Sequence, residues 1–361
     1  MRILNFLPMS LLGLFLISCD SDDDSNVNPT LTIPSEYLSA NYAANVTAEN
    51  TVINELSTIT AALNAAEANA QGTSKSEIDY PTTLSSVTLP AYRTLVEGWL
   101  TEIVKAANSP NAFINPGDGA PVANEEGGLL GGRLLDENGL ELEQMIEKGS
   151  FGAALYNHAL TVINGELNTA SIDKLVEIFG ADPSFTKENV GASAQYASRR
   201  SFHATETGYF YDIKTNLITA KAAIAAGDAF NSQRDEAIEA FKLNWEKTNF
   251  ATVIFYCNAT AVLLREADGN ADALGSALHA YAEGVGFTHG FRGISDKQIT
   301  DTQIDSILSL LLAPAGSTPE SYKFLNDASL IDNLTQAIAE IQTIYGFTDA
   351  EVASFYINDP V

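Results

Sequence analysis

Apolar positions recur at helical spacing along most of this chain. Val52, Leu56, Ile59 and Leu63 fall at i, i+4, i+7 and i+11, a single helix face. Pro90 suits a first helical turn, and Leu95, Trp99 and Ile103 follow at steps of four, which predicts a helix over Ala91–Ala107. The pattern resumes at Leu140 and runs through Met145, Phe151, Leu155 and Leu160 to about Ile163. A shorter helix is predicted over Ser171–Phe179, stopped by Gly180 and Pro183. Gly208–Ala226 reads as a helix ended by Gly227. The long segment Arg234–Ala267 follows, with Ile238, Phe241, Trp245, Thr252, Tyr256, Ala259 and Leu263 along one stripe. Further helices are predicted at 271–284, 299–312, 319–326, 330–345 and 349–356. Ser329, with Asp332 three residues later, supplies a start for the penultimate one. Val and Ile do not alternate with polar residues, so strand signals are few. The expected fold class is all-α, a bundle or a pair of bundles.

Two segments depart from this pattern. Residues 108–140 carry Pro110, Pro116, Pro121 and glycines at 117, 119, 127, 128, 131, 132 and 139, a loop longer than ordinary connections and of the kind that carries function. At the amino end, Arg2 precedes an apolar run from Ile3 to Ile17. That run is too short to span a bilayer comfortably and is followed at once by polar residues, so residues 1–18 read as an export signal. Leu16-Ile17-Ser18-Cys19 resembles a bacterial lipobox, which implies cleavage before Cys19 and acylation of that residue, a stable membrane anchor. The block Asp20-Ser21-Asp22-Asp23-Asp24-Ser25 reads as a solvated spacer, and residues 19–40 as a flexible acidic tether. The same block resembles the acidic tract of surface-exposed lipoproteins in Bacteroidetes-type bacteria. The resemblance implies a position outside the outer membrane, the alternative being a tether that faces the periplasm. Residues 41–361 are left as the helical domain.

Composition narrows the class. The 361 residues hold 46 acidic against 19 basic side chains, a net charge of −27, which repels phosphate backbones and argues against a nucleic-acid partner. Of the two cysteines, assigning Cys19 to lipid leaves Cys257 alone, without an intrachain disulfide framework. A hydrophobic share of 45% is ample for a large core.

Three ordered stretches resemble the DUF4856 family of bacterial lipoproteins. They are Leu142-Glu143-Gln144-Met145-Ile146-Glu147-Lys148-Gly149 with Ala154-Leu155-Tyr156-Asn157; Ala220-Lys221-Ala222-Ala223-Ile224 with Asn244-Trp245-Glu246-Lys247; and Leu278 to Phe287. The resemblance spans roughly residues 45 to 357. It implies kinship with imelysin-like proteins, two helical bundles with a groove between them, whose members include iron-regulated surface or periplasmic proteins and others classed as metallopeptidases. The imelysin signature is Gly-x-His-x-x-Glu. Here Ser201 stands in place of the Gly before His203 and Glu206.

Candidate chemistry concentrates at a few positions. His203 and Glu206, three apart, would share one face of a helix and could hold a cation such as Fe, Zn or Mn. Neighbouring Arg199 and Arg200 would oppose a cation unless turned away, and could instead take an anionic ligand. His279 and Glu283 form a second helical pair with metal-ligand chemistry, alternatively a pair satisfying itself within a packing layer. Gly284 and Gly286 beyond them permit close backbone approach or end the helix. His289 follows, and His158 is a weaker candidate of the same kind. Glu143 and Glu147 are like charges at i, i+4 beside Lys148, either a carboxylate site or a solvated helix face. Glu143, Lys148 and Trp245 are the candidate ligand-binding residues, while Cys257 reads as an inert buried thiol. HExxH, phosphate-loop, GxSxG, paired CxxC and EF-hand patterns do not occur.

These readings converge on a cell-surface binding lipoprotein for nutrient uptake or sensing. Iron or another metal-linked ligand is implied by the resemblance. The alternatives are a metal-dependent peptidase using His203 and Glu206, and a scaffold that binds protein or glycan through residues 108–140.

Overall fold

Helix accounts for 66% and strand for 4% of the described residues, so the all-α class holds. A computed structural model describes residues 29–71, 75–109, 112–113, 115 and 126–360. The export signal, Cys19 and the acidic block lie outside the described residues.

The first helices are α1 (Tyr42–Asn45), α2 (Thr47–Ala68), α3 (Thr82–Val87) and α4 (Pro90–Asn108). The predicted face of α2 is the buried one, with Val52, Leu56, Ile59 and Leu63 all at most 5% exposed. Burial of each such side chain contributes roughly 1.5–3 kcal/mol. On α4 the prediction holds for Ile103 and in part for Trp99, which is half-buried against the core, but fails at Leu95. Tyr92, Val96, Leu100 and Ile103 are buried, and Leu95 is exposed. Both faces of that helix carry apolar residues, and the one that meets α5 is decided by packing.

Within the predicted long loop, β1 (Gly128–Leu130) and β2 (Arg133–Leu135) form an antiparallel hairpin, with Gly131 and Gly132 at positive φ in its turn. Then α5 (Leu142–Ser150) passes through a π-helical segment, Phe151–Tyr156, into α6 (Asn157–Ile163). Next come α7 (Thr169–Phe179) and α8 (Ala192–Arg199). The Asn168 and Ser171 side chains cap the start of α7 reciprocally, and Gly180 closes it in the left-handed region. A second hairpin, β3 (Ser201–Phe202) with β4 (Thr207–Gly208), leads into α9 (Tyr209–Ala226).

The 36-residue α10 (Asn231–Glu266) is the axis of the fold. It packs against α8, α9, α11 (Ala271–Gly290), α14 (Ile331–Tyr345) and α15 (Asp349–Phe355), so its middle is buried all round rather than along one stripe. Between α11 and α14 lie α12 (Asp301–Leu310) and α13 (Lys323–Asn326), the latter shorter than the predicted 319–326. Asp327, not Ser329, provides the cap before α14.

Two glycine-bearing helices meet closely. A Cβ at Gly290 on α11 would lie 2.2 Å from the Gly149 carbonyl oxygen, and one at Gly286 would lie 2.7 Å from that of Gln144. Hence α11 does not stop at Gly284 but runs to Gly290. The glycines serve close approach between α5 and α11, and packing outweighs their low helix propensity.

Residues from Leu31 onward belong to one compact unit, which shortens the expected tether. Tyr37 is buried, and its hydroxyl donates to Asp173 on α7. Ser39 and Asn45 donate to the same carboxylate at 2.7 Å, and Lys221 pairs with it. These bonds hold the Asp173 carboxyl below its ordinary range against the opposing effect of burial. The docking rests on a carboxylate more than a hundred residues away along the chain, and no local spacing announces it.

Candidate functional site

A cleft of about 570 Å³ opens between the outer side of α2 and a wall made by α5, the π segment, α8 and α11. The α2 side is mixed: Ile53 and Leu56 are apolar, while Ser57, Thr60 and Asn64 offer hydroxyl and amide groups. The opposite wall carries Glu147, Lys148, Tyr196, Arg199 and Glu283. A separate hollow of about 370 Å³ near Ile78, Tyr80 and Leu100 holds none of the candidate residues.

Lys148 is the centre of the charged wall. Its ammonium pairs with Glu147, lies 3.5 Å from Glu283 Oε1, and sits 5.9 Å from the ring centroids of Phe151 and Tyr196. Burial alone would lower its pKa. Tyr196, Glu147 and Glu283 outweigh burial, so the net shift is upward and the amine stays protonated. Its π contacts further suit a charged amine. Tyr256 donates to Glu283 Oε1 at 2.8 Å, and burial beside Tyr196 and Glu283 raises its phenol pKa.

Behind the wall the charges continue. His279 Nε2 lies 3.7 Å from Glu283, and its Nδ1 is 2.8 Å from Glu141 Oε2. Arg133, from the first hairpin, stands 3.9 Å from Glu141 and 3.7 Å from Glu67 of α2. Burial pushes the Glu141 carboxyl up and the His279 imidazole down, favouring the uncharged form of both. Glu143 is buried beside this network and accepts from the Gln144 amide. Burial, then the charges of Glu147 and Glu141, pushes its pKa to about 9. The reading of Glu143 and Glu147 as a solvated face is therefore corrected. Glu143 is inside, and Glu147 is held by Lys148.

The structure thus brings together Glu143, Lys148, His279 and Glu283, which the sequence placed on two separate segments. It does not bring His203 and Glu206 to one helix face. They occupy the turn between β3 and β4, where Glu206 is exposed with φ of +51°. His203 Nδ1 meets the Tyr211 hydroxyl at 2.9 Å, and its Nε2 lies 3.5 Å from Asp359. Nor is Trp245 available to a ligand. It is 1% exposed and packs on Tyr156, Phe179 and Phe241 with ring centroids 5.1–5.6 Å apart. Among the described residues, no three His, Cys, Asp or Glu side chains form a group that could hold a metal ion.

The remaining candidates have structural partners. His158 faces buried Glu49 at 3.8 Å, and His289 packs against both Tyr92 and Trp99, which also touch each other. Cys257 is fully buried, and desolvation pushes its thiol up to about 12, which leaves it unreactive. Sequence reasoning missed Tyr196, Glu141, Arg133 and Glu67. Each contributes one residue from a different element, and no spacing along the chain announces such a set.

No protein-family model matches the chain, and searches of curated proteins and of solved structures find no similar protein.

Proposed function

We propose that this chain is a lipid-anchored binding protein of the outer membrane, exposed at the cell surface. It captures a small ligand in the α2–α8–α11 cleft as a component of nutrient uptake or sensing. The observation that carries the binding role is the cleft itself. Its volume is within the range of small-molecule sites, and its charged wall is fixed by mutual ion pairs and hydrogen bonds before any ligand arrives. A cleft is also what the imelysin-like resemblance implies, which supports a binding role without identifying this cleft as that family's groove. The lipobox-like segment ending at Cys19 and the acidic tract behind it support the anchor and the exposed location. Among the described residues, no helix is long and apolar enough to cross a membrane.

An organic ligand suits the site better than a bare metal ion. Lys148 already occupies the space between Glu147 and Glu283, and a divalent cation there would meet its charge. The peptidase alternative loses its two proposed residues to a surface turn, where Glu206 faces solvent. An iron-linked ligand would therefore enter as a complex carried by an organic group.

Two measurements test the proposal separately. Metabolic labelling with a palmitate analogue should mark the wild type and fail in Cys19→Ser. Labelling of both would remove the anchor from the reading. Small molecules released by denaturing the purified protein should include one species enriched over the Lys148→Met variant. Identical extracts would remove the cleft as the binding site.

A further inference from the structure

Arg199 differs from the other charged groups of the cleft. Lys148 is shared by Glu147 and Glu283, a trio with one net negative charge, whereas Arg199 forms no ion pair or side-chain hydrogen bond among the described residues. Its guanidinium lies over the Tyr196 ring, 5.2 Å from the centroid, which holds its plane beside the cleft. Its neighbour Arg200 faces the other way. That side chain is 3% exposed, donates to the Phe355 carbonyl and the Asn358 side chain, and covers the Phe255 ring. One arginine of the pair therefore anchors the carboxy-terminal segment and the other is left for a ligand.

We propose that the cleft binds a small amphipathic monocarboxylate, with its carboxylate on Arg199 and its apolar body against Ile53, Leu56 and Phe151. This rests on the binding role proposed above and names the ligand's chemistry. Three features set the class. A planar guanidinium matches a carboxylate through two parallel hydrogen bonds. The apolar side chains of α2 and the π segment give the ligand body a surface to cover, and Ser57, Thr60 and Asn64 can take a hydroxyl or amide on it. A single unpaired cation faces Glu147 and Glu283 in a chain of net charge −27, so a second or third negative charge on the ligand would be repelled. Polyanions such as citrate or nucleoside triphosphates are thereby disfavoured.

The test uses the full exported chain in detergent, titrated calorimetrically with hexanoate, phenylacetate, their neutral amides and citrate. The expected result is saturable binding of at least one monocarboxylate, about ten-fold or more tighter than its amide and tighter than citrate. Arg199→Gln should lose that preference while melting at the wild-type temperature, and Arg199→Lys should retain part of it. Equal binding of acid and amide, preference for citrate, or undiminished binding by Arg199→Gln would overturn the proposal. Absence of binding by every probe would overturn the ligand class as well. The extraction experiment above reads the cleft's occupancy independently, so a failed class and a failed binding role give different results.

Discussion

Lys148 Nζ lies 3.5 Å from Glu283 Oε1 and ties α5 to α11 at the wall of the cleft. Both side chains are at most 10% exposed, so the pair is a buried one. Removing the ammonium leaves Glu147 and Glu283 facing each other with little solvent. Breaking a buried pair from one side costs about 3–5 kcal/mol. Lys148→Met is expected to lower stability by about that much in urea unfolding. The double variant Lys148→Met with Glu283→Gln should recover a large part, because the orphaned charge is gone and Gln still accepts from Tyr256. A double variant no better than the single would mean that packing of the lysine stem, not charge, is what Lys148 supplies.

Glu143 makes stability fall toward alkaline pH. Its folded pKa is raised to about 9, far above its unfolded value, so the folded chain holds a proton that the unfolded chain releases. That contribution is fully present below the unfolded pKa and is lost as pH rises toward 9. Between pH 5 and pH 8 the loss is on the order of 4 kcal/mol. Glu143→Gln keeps the shape without the proton, and should be more stable than wild type at pH 8 and close to it at pH 5. Parallel unfolding curves at the two pH values check this. An equal difference at both would place the effect elsewhere.

His289 acts on the acid side. Its ring lies 5.7 Å from Tyr92 and 5.9 Å from Trp99, centroid to centroid, and Nδ1 is buried without a hydrogen-bond partner. Burial pulls its pKa down to about 4, with nearby Arg292 lowering it further and Asp305 opposing. The unfolded chain therefore binds a proton between about pH 6.5 and 4 that the folded chain refuses, and stability is lost as pH falls through that window. At pH 5 the loss from this group is about 2 kcal/mol relative to pH 8. His289→Gln should flatten the stability profile between pH 5 and pH 7. An unchanged acid slope would assign it to the carboxylates.

The helices could be read from the chain because their apolar periodicity is local. Val52, Leu56, Ile59 and Leu63 are buried together as their spacing predicts. Where a helix has apolar residues on more than one side, periodicity cannot select the buried face. Periodicity therefore puts Leu95 rather than Val96 on the buried face of α4, and leaves Trp245 a ligand candidate although it lies in the middle of α10, which is buried all round. His203 and Glu206 failed for a related reason. A His-x-x-Glu spacing has meaning only on a helix, and the backbone there is a hairpin turn. The cleft was half legible. Lys148, Glu283 and the anion-binding alternative for Arg199 were visible, but their meeting depends on α5 and α11 approaching through Gly149, Gly286 and Gly290. Glycines announce that something comes close without saying what.

That close approach is the feature most exposed to mutation. At Gly290 an added Cβ would sit 2.2 Å from the Gly149 carbonyl oxygen, and the obstacle is backbone, which no rotamer change can move. The two helices would have to separate, which carries Lys148 on α5 away from Glu283 on α11. Overpacking of this kind costs about 1–3 kcal/mol and occasionally more. Gly290→Ala is expected at or above the upper end, with weakened occupancy of the cleft. Gly98, on the exposed face of α4, has nothing within 4 Å of its would-be Cβ. There the same substitution should stabilise the chain by about 0.5–1 kcal/mol through helix propensity alone. Melting curves of the two variants, run side by side, decide the matter. If Gly290→Ala also stabilised the protein, the α5–α11 contact would have to be looser than the geometry shows, and the cleft wall would not be fixed in advance of its ligand.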